Sequence, residues 1–192
     1  MRKGLQIGIV AIVFLSLFAV STYAQRGTTF TGTAVTYGAG FNTRTVTRPF
    51  TMIVTGKTSP EEAARYLNTL QQGGQDALMR EISSNNLGRF SLSGNVGQAL
   101  NVVIVDEDNG ETRIRAVFQR WVGFGELRRG LRSADYPFGY VEIRVDPRTG
   151  RGDGTFIPAA RIRMRGNTVE IEDFGTFPGR LMGVQLRGMR LP

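Results

Sequence analysis

The sequence predicts a mainly β protein of the α+β class: an antiparallel curled sheet, barrel- or sandwich-like, with one helical hairpin. Three observations support this prediction. Apolar residues follow a clear helical period at about residues 59–84. Short runs rich in Val, Ile, Thr and Phe, separated by Gly, Pro, Asn and Asp, make up most of the remaining chain. The pairs Asn109-Gly110 and Gly166-Asn167 are typical of tight turns between antiparallel strands.

Two strands are predicted at residues 28–55, joined by a turn at Gly38-Ala39-Gly40. Thr, Val, Phe and Tyr dominate both runs, as expected for residues that pack on a pleated surface. Pro49 has no N–H to donate to a neighbouring strand, so it indicates an edge position or a bulge in the second strand.

The helical hairpin is predicted to begin at Ser59, which can cap the first helix. Pro60 suits the first helical position, and Glu62 stands where it completes a capping box. Gly73-Gly74 ends this helix because glycine disfavours a helix interior. A second, shorter helix follows at residues 75–82, and residues 59–84 together form the hairpin.

After the hairpin the chain returns to strands, which are predicted at 90–93, 100–105, 112–122, 138–145, 155–165, 168–173 and 181–186. Residues 123–137 are irregular, and residues 146–154 form a long turn. The last strand is expected to close the sheet. The helices are expected to pack on one side of the sheet or to plug one end.

The two turns also predict strand register. With Asn109-Gly110 as the loop, Val105 lies opposite Ile114 and Val103 opposite Ala116. With Gly166-Asn167 as the loop, the expected cross-strand pairs are Arg163–Glu170, Arg161–Glu172, Met164–Val169 and Ile162–Ile171. The arginine stripe of this hairpin would then be an outer face whose charge is compensated by glutamates.

The first 24 residues are typical of a secretory signal peptide. Arg2 and Lys3 precede an apolar stretch at 7–20, and small residues at 21–24 place cleavage after Ala24. This stretch is shorter than the about 20 apolar residues that span a bilayer. It therefore favours a cleaved signal over the alternative, an uncleaved anchor. We expect a single β-rich domain at 25–192, exported to the periplasm or beyond the cell, without a membrane span after cleavage.

The chain contains no cysteine and no histidine. This excludes disulfides, catalytic triads that need histidine, and thiolate or imidazole ligands for zinc and copper. Carboxylates, Tyr, Ser, Arg and Lys57 remain for any chemistry. We therefore expect no cofactor and no metal site.

The formal net charge is +8, and nearly all positive charge after the signal is arginine. Such a surplus is expected for a protein that binds a polyanion, or for a gene with GC-rich codons. An exported protein does not meet nucleic acid, so we expect none as a partner. An anionic envelope surface is the form of polyanion that export favours.

Three short motifs have a structural alternative. Arg151-Gly152-Asp153 matches an adhesive tripeptide on a loop tip, but its Gly and Asp also suit a turn. Residues 106–110 are acidic like a calcium loop, yet their spacing departs from the EF-hand pattern, which favours a solvated acidic hairpin tip. Glu170, Glu172 and Asp173 are candidates for glycoside hydrolysis, but arginines opposite the glutamates would keep both ionised.

The richest cluster of polar and aromatic residues lies in and beside the irregular segment at 123–137. Guanidinium groups and aromatic faces suit an anionic or sugar-like ligand, and binding residues are common on loops. The alternative is a structured loop in which Trp121 and Tyr136 pack in the core and Asp135 pairs with an arginine. The candidate binding residues are Trp121, Arg128, Arg129, Arg132, Asp135 and Tyr136.

The segment Gly73-Gly74-Gln75-Asp76-Ala77-Leu78, followed by Arg132-Ser133-Ala134-Asp135-Tyr136-Pro137-Phe138, resembles a group of small exported proteins from soil bacteria. The resemblance covers most of the mature chain. The group is a domain of unknown function. The resemblance therefore implies one self-contained exported domain, and it implies no catalytic residues.

These features favour an exported, non-enzymatic domain that binds an unidentified small molecule or envelope component in the interior or at the mouth of the sheet. The alternative is a basic structural protein associated with the envelope or cell surface, and a carboxylate-based hydrolase is third. A binder should contain an apolar pocket with a few convergent polar groups. An enzyme should contain a carboxylate with a strongly raised pKa in a cleft.

Overall fold

A computed structural model describes residues 27–37, 44–120, 135–175 and 177–188. The predicted signal peptide and the predicted turn at Gly38-Ala39-Gly40 lie outside these residues. The elements in chain order are β1 (Thr28–Thr36), β2 (Val46–Val54), α1 (Pro60–Ile82), β3 (Gly88–Leu92), β4 (Gln98–Ala99), β5 (Val102–Asp108), β6 (Glu111–Gln119), β7 (Phe138–Val145), β8 (Arg151–Arg165), β9 (Thr168–Asp173) and β10 (Gly179–Arg187).

The strands form one antiparallel sheet in the order β4-β3-β2-β1-β10-β8-β7-β6-β5, with β9 added beside β8. The sheet is strongly curled into a half-barrel. This confirms the predicted class: mainly β, antiparallel and curled, with one helical segment.

The two ends of the strand order are consecutive in sequence. Strand β4 pairs with β3, whereas β5 pairs with β6. Between them, Leu100 N–H donates to the Gly88 carbonyl at 2.9 Å and Asn101 N–H donates to the Val117 carbonyl at 2.9 Å. The buried Asn101 side chain also accepts from Gln119 N–H at 2.8 Å and donates to the Asn85 carbonyl at 3.0 Å. This short stretch thus connects the two ends of the curled sheet.

The inside of the curl is filled by aromatic and branched side chains from both halves of the sheet. At its centre Phe90 stacks against Phe50 and Phe118, with ring centroids 5.8 and 5.7 Å apart, and lies 5.0 Å from the ring of Phe156. Aromatic pairs at these separations add to the free energy gained by burying the rings. The interior is therefore a packed core.

Both predicted hairpin registers are confirmed. Val105 pairs with Ile114 and Val103 with Ala116, and the four pairs predicted around Gly166-Asn167 are all present. At the first turn Asn109 and Gly110 have φ values of 55° and 81°. A type I′ turn needs positive φ at both positions, which is why this dipeptide determines the register.

The helical segment α1 begins as predicted, with both bonds of the Ser59–Glu62 capping box present. At Gly74 the backbone turns to φ 69° and ψ −169°, which ends the first helix. The Nε of Arg65 lies 2.7 Å from Oε1 of Glu81, 16 residues later. In an uninterrupted helix such residues would be about 24 Å apart. The chain therefore reverses at Gly74, which makes α1 a helical hairpin.

The hairpin packs on the outer face of the sheet, one of the two positions that the sequence allowed. Its buried side chains are Tyr66, Leu70, Leu78 and Ile82. They join a second core with outward-facing residues of β5, β7 and β8, which include Val102, Tyr140 and Ile162. The sheet thus separates two cores, one inside the curl and one beneath the hairpin.

The predicted turn at residues 146–154 is too long, because β8 begins at Arg151. The tripeptide Arg151-Gly152-Asp153 accordingly lies in a strand that pairs with both β7 and β10, and it is not a loop tip. A Cβ at Gly152 or Gly154 would clash with backbone carbonyls of β7. The glycines that suggested a turn instead allow a close approach of two strands.

Two further details concern strands β10 and β2. The last strand, β10, lies between β1 and β8 in the interior of the sheet. Pro49 belongs to β2, which has a neighbour on each side, but β3 pairs only with residues from Phe50 onward. Proline is therefore tolerated just beyond the end of that pairing.

Candidate functional site

A groove of about 500 Å³ lies between the helical hairpin and the outer face of the sheet. Ala63, Leu67 and Leu70 line the hairpin side, and apolar residues of β5, β6, β8 and β9 line the other. Two lining side chains, Leu67 and Val169, are 45% and 37% exposed. The groove is therefore an open apolar surface rather than a sealed void.

One end of the groove is polar and is lined by Arg113, Arg115, Tyr140 and Glu142. Tyr140 donates its hydroxyl to Oε2 of Glu142 at 2.8 Å, and Arg144 Nε donates to Oε1 of Glu142 at 3.0 Å. The Glu142 carboxylate and the Tyr140 phenol are thus fixed beside the apolar part of the groove.

The same ion pairs continue along three strands and form what we call the charge ladder: Asp106, Asp108, Arg113, Arg115, Glu142 and Arg144. Arg113 Nε and Arg115 Nη2 reach the two oxygens of Asp106 at 2.8 and 2.5 Å. Asp108 Oδ2 accepts from Arg113 at 3.2 Å and from Arg144 at 3.0 Å. Three guanidinium groups and three carboxylates therefore compensate one another.

Strand register explains why these side chains meet. Arg113 lies opposite Asp106 on β5 and opposite Arg144 on β7, and Arg115 lies opposite Glu142. Successive side chains of a strand point to opposite faces, so these outward residues alternate with the inward core residues. Apolar outward residues then give way to charged ones along β5 and β6, which places the polar end of the groove.

The ladder shifts several pKa values. The hydrogen bond from Arg113 holds the pKa of Asp106 below its usual value, and the charge of Arg115 acts in the same direction. Burial, followed by the bond to the Glu142 carboxylate, raises the pKa of Tyr140 well above its ordinary range. Tyr140 is therefore a neutral hydrogen-bond donor at physiological pH.

The lowered pKa of Asp106 predicts a specific loss of stability in acid. A carboxyl whose pKa is lower in the folded chain stabilises the fold above its unfolded pKa of about 3.9. That contribution disappears as the pH falls through the folded value. We expect Asp106→Asn to flatten the acid limb of the melting temperature below about pH 4.

Glu107→Gln is the matched control for this prediction, because Glu107 is exposed on the same strand. The control should keep the acid limb of the wild-type protein, measured as melting temperature by circular dichroism between neutral and strongly acidic pH. Equal acid limbs for Asp106→Asn and the wild-type protein would contradict the role given to Asp106.

Of the candidate binding residues, Trp121, Arg128, Arg129 and Arg132 lie outside the described residues. Asp135 and Tyr136 are described, and neither lines the groove. Asp135 Oδ2 pairs with Arg161 Nη2 at 3.1 Å. The buried Tyr136 donates its hydroxyl to Glu172 at 2.5 Å and packs against Phe174. These contacts match the structural alternative considered for Tyr136 and Asp135.

The predicted pairs Arg163–Glu170 and Arg161–Glu172 differ in their side-chain contacts. Arg163 Nε donates to Glu170 at 2.8 Å, as expected. Arg161 instead pairs with Asp135 and lies over the ring of Tyr136, with its Cζ 4.8 Å from the centroid. The backbone register is therefore as predicted. However, Asp135, from a distant part of the chain, replaces Glu172 as the ion-pair partner of Arg161.

The carboxylates considered for hydrolysis form ion pairs or hydrogen bonds within the fold. Arg163 contacts Glu170, as expected from the sequence, and it also contacts Glu172, for which Arg161 was the expected partner. Burial raises the pKa of Asp173, and Oδ1 of this residue accepts a hydrogen bond from Gly175 N–H at 2.8 Å. Asp173 does not line the groove. In the calcium-like segment, arginines hold Asp106 and Asp108, whereas Glu107 is exposed.

Sequence analysis missed the groove and its polar end. The outward residues Ile104, Arg113, Arg115 and Tyr140 come from three strands, and Leu67 comes from the hairpin. One signal was available: residues 102–105 of β5 are all apolar, and in β6 the outward residues Arg113 and Arg115 are followed by the apolar Val117. An apolar residue on an outer face indicates that another element packs there.

The fold and the groove define a class: a half-barrel β protein with an external helical hairpin and an amphipathic groove beneath it. Comparison with protein-family models, with curated proteins and with solved structures finds no match to this chain. Among the described residues, no helix is long and apolar enough to cross a membrane.

Proposed function

We propose that this protein is an exported binding protein whose ligand is a small amphipathic molecule held in the groove. The observation on which the proposal rests is the combination of an open apolar groove with four polar side chains gathered at one end. Binding sites for small molecules are commonly mainly apolar clefts of about 300–1,000 Å³ with a few placed polar groups. The groove, at about 500 Å³, falls within this range.

The apolar lining and the polar end suggest how such a ligand lies. Its apolar body would pack between Leu67 and Leu70 on the hairpin and Ile162 on the sheet. Its head group would meet the guanidinium groups of Arg113 and Arg115. Guanidinium groups only donate hydrogen bonds, so the head group is expected to bear acceptor oxygens, as a carboxylate or sulfonate does.

Arg115 supports this choice of head group. Its Nη2 reaches Asp106, but its Nε is buried and has no hydrogen-bond partner among the described residues. A guanidinium with donors left over is stabilised by a further acceptor. The Arg115 side chain is 35% exposed and lines the groove.

The site differs from the location that the sequence suggested. The interior or the mouth of the sheet was expected to hold the ligand, and aromatic rings fill the interior. The groove under the hairpin lies on the opposite face of the same strands. Export, to the periplasm or to the outside of the cell, remains part of the proposal, and its support is the pattern of residues 1–24.

Filling the groove should abolish binding. Ala63 lines the groove, whereas its neighbour Ala64 is exposed. We expect Ala63→Trp to weaken binding of anilinonaphthalene sulfonate, an apolar ring system with one anionic group, by about tenfold or more. Fluorescence titration of the protein isolated after export measures this, and native mass spectrometry of the same sample shows any ligand it already holds.

Ala64→Trp is the control and should bind the probe like the wild-type protein. Thermal melting of both variants shows that each is folded before binding is compared. If the wild-type protein neither holds a ligand nor binds the probe, or if both variants bind it equally well, the groove is not a ligand site.

A further inference from the structure

Five neighbouring strands of the sheet contain no acidic residue. All sixteen aspartates and glutamates lie between Glu61 and Asp173 in the sequence. Strands β1, β2, β3, β4 and β10 therefore contain none, and these strands are consecutive in the sheet. Arginines of the other strands, such as Arg113 and Arg163, are paired with carboxylates. The described arginines of these five strands therefore have no carboxylate within the same strands to compensate their charge.

Three exposed arginines lie at one end of these strands, where β1 ends and β2 and β10 begin. Register places Val35 opposite both Thr47 and Arg180, and Arg48 opposite Ala34. Arg44 precedes β2 at the same end. Arg44, Arg48 and Arg180 form no ion pair with any of the described residues.

Exposed apolar side chains lie at the same end. Phe177 is 65% exposed and Tyr37 is 42% exposed, and their rings contact each other edge to face at 6.5 Å. Val46, also exposed, lies opposite Thr36. Asp153 of β8 lines a cavity together with Arg180, but these two residues form no ion pair. Asp173, the acid nearest to Phe177 in the sequence, accepts a hydrogen bond from Gly175 N–H. We call this end the basic rim: Tyr37, Arg44, Val46, Arg48, Phe177 and Arg180.

We propose that the basic rim docks this protein on an anionic lipid bilayer. Arginines near an anionic membrane surface contribute to binding, and aromatic side chains favour the interface between headgroups and acyl chains. A polyanionic glycan would also attract the arginines. It offers no apolar phase for Val46 and Phe177, however, and this difference favours the bilayer. The docking site is separate from the groove and does not depend on a ligand in the groove.

Co-sedimentation with vesicles tests the proposal, with the protein isolated after export and with its mass recorded. Vesicles of phosphatidylcholine with phosphatidylglycerol should bind it, whereas phosphatidylcholine alone should bind it weakly. Added salt should weaken binding because it screens the charges. We expect Arg48→Gln/Arg180→Gln to weaken binding to the anionic vesicles roughly thirtyfold, where a tenfold change in affinity corresponds to about 1.4 kcal/mol. Tyr37→Ser/Phe177→Ser should also weaken it, by about tenfold or more.

Matched controls are available away from the rim. Arg151 and Arg187 are exposed near the opposite end of β10, so Arg151→Gln/Arg187→Gln removes the same charge away from the rim. Ile53→Ser removes an exposed apolar side chain at the other end of β2. Both controls should bind vesicles like the wild-type protein, and all rim variants should bind anilinonaphthalene sulfonate normally.

Three outcomes would overturn the proposal. The wild-type protein could fail to bind the anionic vesicles. The rim and control variants could lose binding equally, which would show attraction by net charge alone. Dextran sulfate could bind through the rim arginines while vesicles do not, which would identify a glycan partner. Normal probe binding in the rim variants keeps this test separate from that of the groove.

Discussion

Phe90→Ala is expected to lower the free energy of unfolding by about 3–5 kcal/mol, the range for a buried phenylalanine cut back to alanine. Phe90 is 3% exposed and contacts three other rings from β2, β6 and β8. Its removal leaves a cavity between two halves of the sheet that cannot collapse without bending the strands. Because a domain is stable by only about 5–15 kcal/mol, this is a large share of its stability.

Urea unfolding followed by circular dichroism measures this effect, and Phe177→Ala is the control. Phe177 is mostly exposed, so its truncation should change the free energy of unfolding by less than about 1 kcal/mol. If Phe90→Ala lowered the free energy of unfolding no more than the control does, the four rings would not form the centre of the core. The sheet would then not be curled around them.

Removal of the helical hairpin should abolish cooperative folding. Thr58 bonds to Val103, and Asn85 bonds to Asn101 two residues away. A short Gly-Ser linker can therefore replace residues 59–84 without moving either end. The deletion removes four buried side chains, each of which contributes about 2 kcal/mol of apolar burial, and it exposes the outer sheet face. The hairpin is then a brace that the sheet requires.

A retained cooperative melt would instead make the hairpin a lid over a sheet that is stable alone. Two point variants distinguish a general loss of folding from loss of the contact between the hairpin and the sheet. Ile82 is fully buried, so Ile82→Ala should cost about 2–5 kcal/mol. Leu67 is 45% exposed at the groove, so Leu67→Ala should cost less than about 1 kcal/mol and should weaken probe binding.

The hairpin turns could be predicted because they depend on few neighbouring residues. Asn109-Gly110 adopts positive φ at both positions, and this local preference determines which residues of β5 and β6 are opposite each other. The capping box at Ser59 and the break at Gly74 are equally local. Where glycine had two possible roles, local reasoning failed: Gly152 and Gly154 allow close strand packing rather than a turn.

The groove could not be predicted because its walls are distant in sequence. Leu67, Tyr140 and Val169 line one surface only after the hairpin packs across β5 to β9. The sequence shows the charged residues of the polar end. However, sequence analysis interpreted the arginines as a surplus of positive charge and the acids as part of a solvated turn. Register brought Asp106 opposite Arg113 and Glu142 opposite Arg115, and only then did a fixed polar end appear.

The sequence by itself determined the class of fold, the hairpin registers, the helix cap and the exclusion of thiol and imidazole chemistry. These properties follow from residue type, from the period of apolar residues and from the φ preferences of single turns. Tertiary structure alone decided that β10 lies between β1 and β8, that the interior is filled, and that the hairpin covers the outer face. The physical reason is that these properties depend on contacts between segments far apart in the chain, whose free energy is gained only when the whole sheet has formed.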